Sequence, residues 1–157
     1  MASSVAIVQP HRVRKLVLAA PFGLSVPAHP TVDFFDIPEQ EVLGYLTADM
    51  SIFADLLPPT PEFLAERGRE ATSLGRVILG RSHDPKLPKW LHRLTMPTLL
   101  LWGDADRIIP VEQAPVWAAK IADTQTFILP GVGHLLFDES RAAVDAVGDF
   151  VSSQASS

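Results

Sequence analysis

Three short apolar runs stand out along the chain, separated by stretches with different spacing. Lys15-Leu-Val-Leu-Ala-Ala20, Met96-Pro-Thr-Leu-Leu-Leu-Trp-Gly103 and Thr124-Gln-Thr-Phe-Ile-Leu129 are each bounded by charge, proline or glycine. The first two are continuous apolar runs that suit strands covered on both faces, as in a parallel sheet, and the third reads as the next strand. Helical spacing lies between and around them. Ala2–Gln9 reads as the end of a helix stopped by Pro10. Glu112–Ala122 places Ala114, Trp117, Ala118 and Ile121 on one stripe, and Pro115 requires the helix to start near Ala114. A C-terminal helix over Glu139–Val151 presents Ala143, Val147, Phe150 and Val151. Ser152–Ser157 reads as a frayed polar tail.

The spacing changes between Ser25 and Pro88. Pro27, Pro30, Pro38, Pro58, Pro59 and Pro61 punctuate this stretch. Short helical patterns fall between them at Glu39–Leu46, Met50–Leu57 and from Pro61 to about Leu79. The chain therefore reads as helix, strand, helical insertion, strand, helix, strand, helix. That order predicts an α/β domain of three parallel strands with flanking helices and right-handed crossovers. The core is expected over residues 1–24 and 89–157, with 25–88 as a helical cap.

Composition narrows the functional classes. The 157 residues suit one domain, and 47% hydrophobic with 20% charged residues is a globular balance. A net charge of −5 disfavours nucleic acid as a partner. The basic residues of Arg81–Arg93 are interrupted by prolines and apolar side chains, as on a solvated surface. The absence of cysteine excludes disulfides, zinc–thiolate sites and thiol nucleophiles, and suits the cytoplasm. No apolar run approaches the roughly 20 residues that span a bilayer, so no membrane association is expected. Arg12-Val-Arg-Lys15 before Leu16–Ala20 imitates a leader peptide, but Pro21 cuts the apolar segment short.

Two loops carry the candidate chemistry. Trp102-Gly-Asp-Ala-Asp-Arg-Ile-Ile-Pro110 follows the second strand and Leu129-Pro-Gly-Val-Gly-His134 follows the third. Open α/β sheets hold their sites at such strand ends. A carboxylate and an imidazole on neighbouring strand ends can meet. The carboxylate then holds one ring N–H and leaves the other nitrogen as a general base. Asp104 and Asp106 are the acids and His134 the base. Taken singly, an Asp after a strand is commonly a turn former or helix cap.

These motifs, in this order and followed by an amphipathic helix, resemble the C-terminal part of the α/β-hydrolase fold. Similar proteins include meta-cleavage-product hydrolases, epoxide hydrolases and haloperoxidase-like esterases. The resemblance implies that Asp106, directly before Arg107, is the catalytic acid, that Asp104 is a loop residue and that His134 is the catalytic histidine. Pro10-His-Arg-Val-Arg-Lys-Leu-Val-Leu18 resembles the approach to the family's sixth strand, and Ser25–Pro88 its cap. The family's nucleophile sits in Gly-x-Ser-x-Gly. That motif is absent from this chain, as is the His-Gly segment of the oxyanion hole. Ser3 and Ser4 lack elbow glycines and match the helix after the elbow. Met1 thus falls just past the expected nucleophile, as if an N-terminal half were missing.

The expected function is hydrolysis of an ester, a C–C ketone or a similar small apolar substrate, without cofactor or metal. Phe22, Ile108 and Leu135 are candidates for lining the pocket, each with an equal reading as core. Activity is expected to be lacking in this chain alone. The alternative is a non-catalytic α/β-hydrolase-like module that binds a small molecule. An unrelated nucleotide-binding domain is disfavoured, because neither Gly-x-Gly-x-x-Gly nor Gly-x-x-x-x-Gly-Lys occurs.

Overall fold

The structure, a computed structural model, describes residues 2–33, 36–38, 41–52 and 83–153. Three strands, β1 (Leu16–Ala19), β2 (Thr98–Gly103) and β3 (Thr124–Leu129), form one parallel sheet in that order. The helices are α1 (Ala2–Val8), α2 (Val42–Leu46), α3 (Leu87–Trp90), α4 (Ala114–Ala118), α5 (Leu136–Glu139) and α6 (Arg141–Ser152). The expected helix over Pro61–Leu79 lies outside the described residues, as does most of Met50–Leu57.

Registry assigns the two faces of the sheet. Leu16, Leu18, Leu100 and Trp102 share one face and pack with Ala6 and Ile7 of α1, with Leu87 and Leu91, and with Trp117 of α4. Leu101 and Leu129 point the other way, onto Val132, Leu136 and Ala143, with Ala146 and Val147 half-buried against them. Every residue of the central strand β2 is buried, which accounts for its unbroken apolar run.

β1 departs from the expected double cover. Val17 is half-buried and Ala19 exposed, so only the Leu16/Leu18 face is sealed. α6 crosses the opposite face toward the start of β1, where Lys15 Nζ donates to the carbonyls of Phe150, Val151 and Ser153. Those carbonyls lack partners within the helix, and a cation there also meets the negative end of the helix dipole.

Two helices are shorter than their periodicity predicts. A 3-10 turn over Val111–Gln113 precedes α4, and only Ala114–Ala118 is α-helical, with Pro115 in the first turn. The C-terminal helix is broken at Ser140 (φ −140°, ψ 117°), so Glu139 ends α5 instead of opening α6. Val151 is 57% exposed rather than inward-facing, because Ala143, Val147 and Phe150 define the packed side.

Candidate acid–histidine site

The loop after β2 is held by its own side chains. Trp102 Nε1 donates to Ile109 O at 2.8 Å, closing residues 102–109 into a compact turn. Inside it, Asp106 Oδ1 accepts the amides of Ile108 (2.8 Å) and Ile109 (2.9 Å). Asp106 is thus a turn former as well as a candidate acid. Asp104 Oδ1 accepts the Gly131 amide at 2.6 Å, while Asp104 N and Ala105 N donate to Leu129 O and Val132 O. Asp104 ties the two loops together and makes no contact with the imidazole.

The loop after β3 needs its glycines at two places. Gly131 has φ +70°, where a side chain would be strained. Gly133 allows close approach: a Cβ there would lie 2.6 Å from Ala48 N and 2.9 Å from Thr47 C. The following residue, His134, turns its ring to Asp106, with Nδ1 2.8 Å from Oδ2. The Asp106 side chain is fully buried, whereas that of His134 keeps 26% exposure.

This arrangement has a definite chemistry. With Asp106 ionised, three N–H groups surround its carboxylate: two amides and the imidazole. Nδ1–H is then the donor, so Nε2 carries the lone pair. Nε2 has no partner among the described residues, and the exposed part of the ring leaves it available as a proton acceptor. No group of three or more potential metal ligands occurs among the described residues.

α2 and the residues after it sit against both loops. Leu46 O accepts His134 N (2.9 Å) and Leu135 N (3.0 Å). Arg107 Nη1 donates to Gly44 O at 3.0 Å, with its guanidinium 4.4 Å from the Tyr45 ring centroid. Glu139 Oε2 accepts Ala48 N and Gly133 N. Ser51, through its hydroxyl and then its amide, holds the Asp49 carboxyl below its ordinary pKa. Sequence reasoning passed over Arg107, Leu46 and Glu139 as site residues. Their contacts join segments far apart in the chain, which periodicity does not register.

The three pocket candidates separate. Leu135 is half-buried beside His134, Phe22 is 42% exposed, and Ile108 belongs to the main core. A shallow surface cavity lined by residues 24–27, 30, 31 and 83 includes none of them and neither member of the pair. Ser3 is buried on α1 and Ser4 exposed. No helix among the described residues is long and apolar enough to cross a membrane.

Comparison with known proteins gives a consistent result. The family profile described as alpha/beta hydrolase fold matches residues 71–140. A Bacillus subtilis (strain 168) protein named as an uncharacterized hydrolase is 26% identical over 164 residues, covering 94% of this chain and 60% of that protein. A monoacylglycerol lipase of Mycolicibacterium smegmatis is 27% identical over 143 residues, covering 83% and 49%. Among solved structures, a bacterial membrane phospholipase A aligns with TM-score 0.72 at 23% identity, over 96% of this chain and 52% of that one. A meta-cleavage product hydrolase from Pseudomonas fluorescens IP01 aligns with TM-score 0.65 at 17% identity, over 96% and 58%. The chain therefore spans about half to three-fifths of the length of the relatives it matches.

Proposed function

We propose that the chain is a member of the α/β-hydrolase superfamily, which it resembles in sequence and fold, and that its Asp106–His134 pair is the acid–base half of a hydrolase site. The substrate is an ester, a C–C ketone or a similar small apolar molecule. The observation that carries this reading is the 2.8 Å contact between Nδ1 and a fully buried carboxylate, with Nε2 left open. The hydrolase and lipase names of the relatives support the same class. On this reading residues 25–88 form a cap over the strand ends. The docking of α2 on the loops after β2 and β3 favours it.

The chemistry divides between this chain and a hydroxyl that it does not supply. His134 Nε2 takes the hydroxyl proton as that oxygen bonds to the substrate's carbonyl carbon, whose π electrons move onto oxygen. Asp106 stabilises the imidazolium so formed. The tetrahedral intermediate collapses, breaking the bond to the leaving group, which takes the proton from Nε2. Water then repeats the sequence and frees the acyl group.

The test is hydrolysis of an activated short-chain ester by three proteins. These are the chain, its His134→Ala variant, and the chain joined to the nucleophile-bearing part of a close relative. The chain alone should be nearly inactive, since oxyanion donors by themselves supply about 10²–10³ in rate. The joined protein should turn over and lose activity with His134→Ala, since acid–base catalysis contributes roughly 10²–10⁴. Robust turnover by the chain alone, lost in His134→Ala, would mean a nucleophile such as Ser3 or Ser4 within it. A joined protein that folds and stays inactive would favour a small-molecule binding module.

A further inference from the structure

Glu139 is an acidic side chain of the site region that the acid–base chemistry leaves unused. Its Oε2 accepts three amides: Ala48 (2.8 Å), Asp49 (3.3 Å) and Gly133 (3.1 Å). Two of these donors belong to the segment after α2, and the third directly precedes His134. The other oxygen, Oε1, is buried with no hydrogen-bond partner among the described residues. A Cβ on Gly133 would lie 2.8 Å from that oxygen, so the turn lies flush against the carboxylate. The Glu139 amide in turn donates to Leu135 O at 3.0 Å. His134 thus sits between two points that Glu139 holds, the amide before it and the carbonyl after it.

We propose that Glu139 is a positioning residue for the imidazole, coupling the seat of the 47–49 segment to the Gly133–His134 turn. The physical reason is the shared oxygen. If residues 47–49 lift away, Oε2 loses two of its three donors while Oε1 is already unsatisfied. A half-buried carboxylate left in that state turns toward water, since an unpaired buried charge is costly. Gly133 N is then released, and with it the backbone that aims the ring at Asp106. Leu46 O, at the end of α2, separately holds the His134 and Leu135 amides, so the Gly133 amide is the link that Glu139 supplies.

The consequence for catalysis rests on the acid–base reading of His134, but the coupling is measurable without turnover. The experiment uses the whole chain, isotope-labelled, with amide hydrogen exchange and the His134 Nδ1–H proton resonance as readouts. Glu139→Ala should speed exchange at Ala48 and Gly133 by about tenfold or more, as expected when charge-assisted hydrogen bonds are lost. It should also broaden or abolish the Nδ1–H signal. Glu139→Gln keeps an acceptor oxygen at the same reach and should restore that signal. If Glu139→Ala does not fold, Glu139→Asp, which withdraws the charge by one methylene, is read with the same expectation. A native Nδ1–H signal in Glu139→Ala overturns the coupling. So does a Glu139→Gln signal no better than that of Glu139→Ala. An inert His134 in the hydrolysis test would instead remove the catalytic reading and leave the coupling standing.

Discussion

Replacing Asp106 separates its two jobs, because one carboxylate oxygen serves the backbone and the other the imidazole. Asp106→Ala removes the acceptor for the amides of Ile108 and Ile109, two residues that are themselves buried. Orphaning a buried N–H costs about 1–3 kcal/mol. Two such groups, partly offset by no longer burying a charge, give a loss of roughly 2–5 kcal/mol. In a domain of this size that lowers Tm by about 5–20 °C. Asp106→Asn keeps one oxygen for the same two amides and should cost no more than about 1.5 kcal/mol. Its NH2 group, however, now faces Nδ1. The imidazole must accept there, so Nε2 carries the hydrogen and can no longer take a proton. The analogous exchange in a serine protease triad lowers kcat by about 10⁴. Urea unfolding of the two variants, together with ester hydrolysis in the nucleophile-complemented protein, measures both effects. Asp106→Asn should be nearly as stable as the native chain and as inactive as Asp106→Ala. An Asp106→Ala protein of native stability would refute the backbone role, and an active Asp106→Asn protein would refute the tautomer argument.

The other expectations concern the glycine turn and the C-terminal cap. Gly133→Ala inserts a methyl group 2.6 Å from Ala48 N and should cost about 1–3 kcal/mol. Gly131→Ala meets no atom within 4 Å, so its cost of about 1–2 kcal/mol comes from φ +70° alone, and it should leave the His134–Asp106 contact intact. Chemical denaturation and the Nδ1–H resonance distinguish the two. Lys15→Met removes the donor to three carbonyls at the end of α6 and should cost about 1–2 kcal/mol. Faster amide exchange in the last turn of α6 would register that loss, and unchanged exchange there would show that Lys15 caps nothing.

Elements with a strong local signal were legible in the residue pattern. β2 occupies the apolar run between Pro97 and Gly103, because a parallel strand buried on both faces needs little beyond local hydrophobicity to announce itself. β3 occupies the run that ends at Pro130, although Gln125 to Ile128 are exposed and only Leu129 is buried. The candidate pair was legible too, since strand ends in such a sheet converge and an Asp and a His stood on adjacent ones. The choice of Asp106 over Asp104 came from resemblance. In the structure the two acids differ through contacts 27 and 28 residues away, Gly131 N for Asp104 and His134 Nδ1 for Asp106.

What the chain's linear pattern left open was set by packing between distant segments. Val151 fits the apolar stripe of a helix starting at Glu139. Glu139, however, is drawn to Ala48 and Gly133, the helix breaks at Ser140, and α6 turns Phe150 rather than Val151 inward. Ala19 has the composition of a covered strand, yet it is exposed because no described element covers it. Ile108 satisfied the requirement for a pocket lining and for core equally, and the loop closed by Trp102 and Ile109 put it in the core. Periodicity reports which side of an element is apolar. Which neighbour covers that side, and where one buried carboxylate finds its donors, depends on segments brought together only when the chain is folded.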